Sequence, residues 1–298
     1  MSPPKVAIVT DDPGWHGRRL RQAFAERGYE TRCVSLLDGH IYIESGRLPV
    51  TFPGFESSLP AGVFVRGVPG GTLEEIITYL NLLHILEKSG VKIYNPTRGI
   101  ELSVDKGIAS FLLHQEGIPT PPTCITGRRN QALAFADTIF LQGEWVVSKP
   151  LFGAQGEGIE LHQSLDCLAR LKPVGGVYYL QQYIRCDPVR DWRVFVIAGR
   201  AIAAMSRYGA DWRTNVAQGG RCEKADLDSA LCLLAEKSAR TLLLDYAGVD
   251  ILRDTKGNYW VLEANGIPAW KGLQSVTETD VTALLVDDFL RHCQLVSR

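Results

Sequence analysis

Residues 250 to 265, DILRDTKGNYWVLEAN, constrain the fold most. Two alternating apolar runs flank Lys256-Gly257, a pattern that predicts a β-hairpin with those two residues as its loop. Pairing then follows by counting. Thr255 faces Asn258, Asp250 comes to lie across from Glu263, and the two-residue period puts Asn265 on the same face. Like charges opposed across a ladder repel, the more so where water is excluded, unless a cation sits between them. Oxygen donors without His or Cys suit Mg²⁺ or Mn²⁺. The competing interpretation, a solvated polar face on an edge hairpin, gives the poor strand formers Asp and Asn no reason to be there.

At 298 residues the chain exceeds the usual size of one core, so two or three domains are expected. KVAIVTDD, the helical stretch from Gly14 and the strand beyond Gly28 predict a β-α-β start. GVFVRG (62 to 67) is another strand, and Thr72 with Glu75 forms a capping box for the helix that Gly90 closes. These elements predict an α/β, doubly wound domain over residues 1–98. Ser103 is the expected cap of the next helix, which ends at Gly117 before the extended, proline-rich GIPTPPTCIT. A hairpin-rich α+β block follows. DWRVFVIAGRAIAAMSRYG predicts two strands about an Ala198-Gly199 turn, and a helix spans roughly 228 to 244.

Net charge is −1, so no global field draws the chain to nucleic acid or anionic membrane. No apolar run is long enough to span a bilayer and the N-terminus has no signal-peptide pattern, which makes the cytoplasm the expected compartment. Seven scattered cysteines without CxxC spacing predict reduced thiols. Nucleophile and zinc motifs such as GxSxG and HExxH are missing, which argues against covalent catalysis by a side chain.

Cations and glycines stand where phosphates would need them. Lys149 ends the strand WVVSK, just before a glycine loop comprising Gly153, Ala154, Gln155, Gly156, Glu157 and Gly158. Glycines let backbone N–H groups approach an anion closely, although the loop taken alone is better explained as a plain hairpin turn. Lys106 lies in the first turn of its helix, where the macrodipole disfavours a cation and a nearby anion would cancel that cost. Arg193, Arg207, Arg213 and Asn215 punctuate the stretch from Asp191 to Asn215. Arginine suits bidentate phosphate or carboxylate binding.

The order of DK (105 to 106), SKP…GAQGEG (148 to 158), LQQYI (180 to 184), DWRVFVIAGRAIAAMSR (191 to 207), WRTNVAQGG (212 to 220), AGVDIL (247 to 252) and VLEAN (261 to 265) resembles the ATP-grasp superfamily, and within it the RimK-like glutamate ligases. The resemblance covers about residues 60 to 290. It implies three domains: an N-terminal one over 1–98, a central ATP-grasp domain over 99–182 and a C-terminal one over 183–298. It further implies that Lys106, Lys149 and the loop with Gly153, Gln155, Gly156 and Gly158 hold phosphates. Gln182, Tyr183 and Ile184 would line the adenine edge, with Asp191 near the ribose. Arg193, Arg207, Arg213 and Asn215 would face the γ-phosphate and the acyl group, and Asp250, Glu263 and Asn265 would hold two Mg²⁺, replaceable by Mn²⁺.

Gln182 stands where relatives usually carry Glu, and GIPAW follows Asn265 where they commonly continue with SPG. PAWKGLQ (268 to 274) looks closer to coenzyme-modifying members such as tetrahydromethanopterin glutamate ligases. The resemblance thus implies an ADP-forming ligase joining an amino acid, L-glutamate, to a carboxylate acceptor of small-molecule type through an acylphosphate, in a homo-oligomer. Rival expectations are a non-catalytic ATP-binding regulator and a ligase acting on a ribosomal or carrier protein.

Overall fold

A computed structural model of the chain describes residues 4–153, 156–168, 170–209, 212 and 221–295. They divide into two compact units. One comprises residues 1–100, 243–246 and 266–298; the other comprises 101–242 and 247–265.

In the first unit β1 (Lys5–Val9), α1 (Gly14–Ala25) and β2 (Glu30–Val34) form the expected β-α-β start. After the short hairpin of β3 (His40–Ile41) and β4 (Val50–Thr51) come β5 (Val63–Val65), α2 (Leu73–Lys88) and β6 (Ile93–Tyr94). The sheet is parallel, in the order β2-β1-β5-β6. Its central strands are continuous apolar runs, with Val6, Ala7, Ile8, Val63, Phe64 and Val65 wholly buried, as a sheet covered on both faces demands. The capping box of α2 is present: Thr72 Oγ1 accepts from Glu75 N (3.3 Å) and Glu75 Oε2 accepts from Thr72 N (2.7 Å).

Between β6 and the second unit the expected single helix is two. The first, α3 (Thr97–Val104), contains Ser103, and α4 (Lys106–Gln115) starts afresh after Asp105. Asp105 Oδ1 accepts from Gly107 N (2.8 Å) and Ile108 N (3.2 Å), so the aspartate and not Ser103 satisfies the orphan donors of α4.

The second unit holds two sheets, the first of them antiparallel throughout. The first contains β7 (Thr123–Thr126), β8 (Val146–Lys149), β9 (Glu160–His162) and β10 (Tyr178–Gln182) in the order β7-β10-β8-β9. Between its strands run α5 (Arg129–Phe140) and the short α6 (Leu165–Leu168), and Ala132, Ala136, Ile139 and Leu168 pack with Val146 and Leu180. The second sheet has the order β13-β12-β11-β14-β15, from β11 (Arg190–Ile197), β12 (Arg200–Tyr208), β13 (Arg221–Ala225), β14 (Tyr246–Arg253) and β15 (Tyr259–Asn265). Helix α7 (Ser229–Thr241), capped by Asp228 Oδ1 on Leu231 N (2.7 Å), separates β13 from β14. Ala198 and Gly199, at φ of 52° and 71°, make the expected two-residue turn between β11 and β12, a geometry in which both residues are left-handed.

The closing elements, α8 (Lys271–Gln274) and α9 (Val281–His292), belong to the first unit. Phe289 is fully buried and its ring lies 5.1 Å from that of Phe24, which fixes α9 beside α1. No helix among the described residues is long and apolar enough to cross a membrane, and the seven cysteines are free.

Candidate active site

The β14–β15 hairpin brings Asp250 opposite Glu263, but by a different route from the count through a two-residue loop. Arg253 pairs with Tyr259, so the loop runs from Asp254 to Asn258. Asp254 Oδ1 accepts from Lys256 N (2.9 Å) and Asn258 N (2.8 Å), and this side-chain template closes the longer turn. The register there is one residue short. A bulge between Asp250 and Ile251 restores it: Ile251 pairs with Val261 and Asp250 with Glu263, so Leu262 is the extra residue. Asn265 shares the face of Glu263, its Nδ2 donating to Glu263 Oε1 at 3.0 Å.

A cation does lie between the two carboxylates, and the chain itself supplies it. Arg193, on β11 beside β14, donates Nε and Nη2 to the two Asp250 oxygens at 2.7 Å each, while Nη2 lies 4.0 Å from Glu263 Oε1. Arg207, on β12, reaches Asp250 Oδ2 at 2.8 Å and forms a fork with Asp191 at 2.7 and 2.6 Å. Asp191, Arg207 and Asp250 are 2%, 2% and 3% exposed, so the network is cut off from water. Burial alone would raise the pKa of Asp250, but Arg193 and Arg207 overcome it and hold that carboxyl well below its usual range. Burial would likewise lower the pKa of Arg207, yet Asp250 and Asp191 raise it.

Two lysines approach the same face. Lys149, last residue of β8, donates to Gln181 Oε1 (2.7 Å), and the Gln181 amide is oriented by donating Nε2 to Thr123 Oγ1 (3.0 Å) and to the Tyr179 hydroxyl (3.3 Å). Burial lowers the Lys149 ammonium to about 8, partly offset by Glu263 and lowered further by Lys106, with Asp250 raising it. Lys106 Nζ donates to Gly153 O (2.8 Å) and Leu151 O (3.3 Å), at the start of the glycine loop. Its pKa is lowered by burial and raised by Glu263 and Asp105.

Beside these lysines opens a cleft, bounded by Lys149 and Ile159 on one side, by the 181–184 stretch at its edge and by Leu252 and Leu262 of the second sheet. Gln182, Tyr183 and Ile184 therefore line an apolar slot next to an ammonium, the arrangement a purine with a phosphate tail fits. The loop joins two antiparallel strands, β8 and β9, and Gly156 and Gly158 have φ of 78° and 67°, in the region glycine adopts without strain. Gln155 lies outside the described residues, as do Arg213 and Asn215.

The donors fit a hard cation in part. Among the described residues no group of three or more His, Cys, Asp or Glu side chains gathers to hold a metal, so a site here rests on two carboxylates and an amide. Three guanidinium contacts occupy three of the roughly four acceptor positions of Asp250. The Glu263 side chain, 36% exposed, is the more accessible ligand, and with Asn265 Nδ2 engaged the amide oxygen is the atom left to a cation. Such sparse, oxygen-only ligation suits Mg²⁺ that also takes phosphate oxygens.

Sequence reasoning missed Gln181. Its only signal was a second buried polar residue beside Gln182 in LQQYI.

The RimK-like ATP-grasp domain family matches residues 103–289. The tetrahydromethanopterin:alpha-L-glutamate ligase of Methanococcus maripaludis is 35% identical over 97% of this chain and 99% of its own. The enzyme of that name from Methanosarcina acetivorans is 30% identical over 90% and 93%. Among solved structures, the ATP-grasp ligase PsnB complexed with a phosphomimetic variant of its minimal precursor, Mg and ADP superposes with a TM-score of 0.76 at 20% identity, over 98% of this chain and 99% of that one. A RimK domain ATP-grasp protein from Sphaerobacter thermophilus gives 0.70 at 21% identity, over 95% and 98%. With a matched domain that takes in both sheets of the second unit, the paired lysines and the Asp250–Glu263 hairpin, the chain belongs to the RimK-like ATP-grasp family.

Proposed function

We propose that this ATP-dependent carboxylate–amine ligase adds L-glutamate to a carboxylate of a small, coenzyme-type acceptor, releasing ADP and phosphate. The observation that carries the choice of substrates is the end-to-end likeness to the Methanococcus maripaludis ligase, which spans the acceptor-side residues as well as the ATP-grasp core. In this reading residues 1–98 precede the grasp, residues 99–182 form its central domain and residues from 183 its C-terminal domain. The 182–184 stretch borders the nucleoside, Asp191 backs the site through its buried fork with Arg207 instead of facing the ribose, and Arg213 and Asn215 act on the γ-phosphate. The free cysteines suit a reducing cytoplasm, and self-association is part of the same proposal.

A carboxylate is a poor electrophile, so amide formation in water needs its oxygen turned into a leaving group. An acceptor carboxylate oxygen attacks the γ-phosphorus of ATP, the bond to the β,γ-bridging oxygen breaks, and ADP departs. The glutamate amine then attacks the acyl carbon, the carbon–oxygen bond to phosphate breaks, and the amine proton is lost as phosphate leaves. Lys149 and Lys106 hold the phosphate oxygens during the first step, as cations placed where charge moves onto ADP. Arg193 keeps Asp250 ionised and aligned with Glu263. Mg²⁺, two ions or Mn²⁺ in their place, would be held by Asp250, Glu263 and Asn265 and would neutralise the β- and γ-oxygens.

ADP release with L-glutamate against a panel of reduced pterins and other carboxylate coenzymes, with product masses, tests the proposal. A gain of one glutamyl unit is expected. Turnover with another amine and none with glutamate would overturn it.

A further inference from the structure

Behind the paired lysines of the second unit runs a chain of side-chain hydrogen bonds whose direction is fixed at every step. The Lys149 ammonium has no lone pair, so its Nζ donates to Gln181 Oε1, at 2.7 Å. The amide nitrogen is thereby turned the other way, where it donates to the Tyr179 hydroxyl (3.3 Å) and to Thr123 Oγ1 (3.0 Å). A hydroxyl has a single proton to give. Thr123 commits its own to Pro121 O at 2.8 Å, and Ser110 commits its own to Lys106 O at 2.7 Å. The 3.1 Å contact between the Tyr179 and Ser110 oxygens is therefore donated by the tyrosine. Hydrogen bonds thus run one way from Lys149 through Gln181, Tyr179 and Ser110 to the Lys106 carbonyl.

Strand register makes this path possible. Tyr179 pairs with Lys149 and Gln181 with Thr123, so these side chains share one face of the first sheet, and Ser110 and Lys106 meet them from α4. Gln181 and Tyr179 are each 2% exposed, which leaves them no water to exchange these bonds with. A buried polar network with every member satisfied is rigid. Rigidity matters here because two ammonium groups repel, and a lysine pair keeps its spacing only if the scaffold sets it. The acceptor is also neutral. A carboxylate at position 181 would hold the ammonium but pair with its charge, whereas the amide occupies one N–H donor and leaves the charge and the other donors to phosphate oxygens.

We propose that Gln181 is a positioning residue for ATP: backed by Tyr179 and Ser110, it aims the Lys149 ammonium at the phosphates and sets its place relative to Lys106. The inference rests on the assignment of Lys149 to phosphate and is independent of which acid and amine the enzyme joins.

A double-mutant cycle on the affinity for ATP with Mg²⁺, read by calorimetric titration, tests it. The variants are Gln181→Met, Tyr179→Phe and Lys149→Met, with each of the first two also combined with the third. Gln181→Met should weaken ATP about tenfold, as loss of a hydrogen bond to a charged group does, and Tyr179→Phe about two- to fivefold. In the Lys149→Met background neither should change the affinity by more than about 1.5-fold, because a residue that acts through Lys149 then has nothing left to aim. A purely structural role would weaken ATP by the same factor in both backgrounds and would overturn the proposal, as would unchanged affinity in both single variants. If Lys149→Met binds ATP as the wild type does, the phosphate assignment falls and the proposal with it. If Lys149→Met binds weakly while Gln181→Met and Tyr179→Phe do not, the proposal alone falls. Tyr179→Phe, which removes one oxygen and keeps the ring, leaves the cycle decisive should Gln181→Met fail to fold.

Discussion

Replacing Arg207 by methionine should expose how the second unit supports its carboxylates. The side chain is 2% exposed and makes three contacts with carboxylate oxygens, two to Asp191 at 2.7 and 2.6 Å and one to Asp250 at 2.8 Å. Asp250 retains its fork from Arg193, so most of the cost falls on Asp191, 2% exposed, which loses its bidentate guanidinium. Breaking a buried pair from one side costs about 3–5 kcal/mol, because the charge left behind stays out of water. At about 2–4 °C per kcal/mol for a body of this size, the second unit's thermal transition should drop by roughly 6 °C or more. Scanning calorimetry at pH 7.5 and near pH 4 measures it. The pH dependence has a definite sign. Asp250, whose folded pKa is depressed, contributes stability above its unfolded pKa of about 4, and that contribution is lost as pH falls. Near pH 4 that contribution is still largely present in both proteins, and the gap should narrow because Asp191, buried and stripped of its guanidinium in the variant, can take up a proton and shed its uncompensated charge. A fall of under about 2 °C at neutral pH, or a gap of equal size at both pH values, would refute the reasoning.

Glu263→Gln should cut ADP release by about 10²–10³-fold, as loss of a preorganised electrostatic contact does. Its circular dichroism should be unchanged because the side chain is 36% exposed, and undiminished turnover would remove it from the metal set. Burial lowers Lys149 to about 8, so the folded chain releases a proton that the unfolded chain keeps up to about pH 10.4, and stability should rise with pH across that window. ATP affinity, which needs the ammonium, should fall over the same range, and a Lys149→Met variant with the same pH slope would dismiss the assignment. Gly199→Ala, with φ at 71° and open space around the added methyl, should cost about 1 kcal/mol from backbone strain alone, read as a lower urea midpoint with an unchanged slope.

Alternation and turn chemistry made most elements legible: the β-α-β start, the Thr72 capping box, the Ala198-Gly199 turn and the pairing of Asp250 with Glu263. They are local, each decided within one short, continuous stretch of the chain. What the chain concealed was long-range. The bulge at Leu262 leaves no composition signal, and the hairpin count succeeded because a longer turn and an extra residue cancel. Asp105 outcompetes Ser103 as a cap because it sits directly before the new helix, a difference of two positions that propensity does not resolve. Opposed carboxylates at Asp250 and Glu263 call for a cation between them, but the sequence does not show that the chain supplies one itself. A guanidinium from β11, 57 residues before Asp250, fills that place, and only sheet order reveals that β11 adjoins β14. Gln181 and the docking of α9 onto α1 likewise depend on neighbours far along the chain.

The bulge at Leu262 also divides one strand into two halves of opposite parity. Between the turn and the bulge, side chains obey one alternation; beyond it, Glu263 and Asn265 obey another. Were the turn-side register to run on without the bulge, Asp250 would pair with Leu262, and the carboxylate and the carboxamide would swing to the far side of the sheet while every hydrophobic residue nearer the turn kept its place. A ladder ironed flat there would still be a hairpin and would have turned its chemistry inside out.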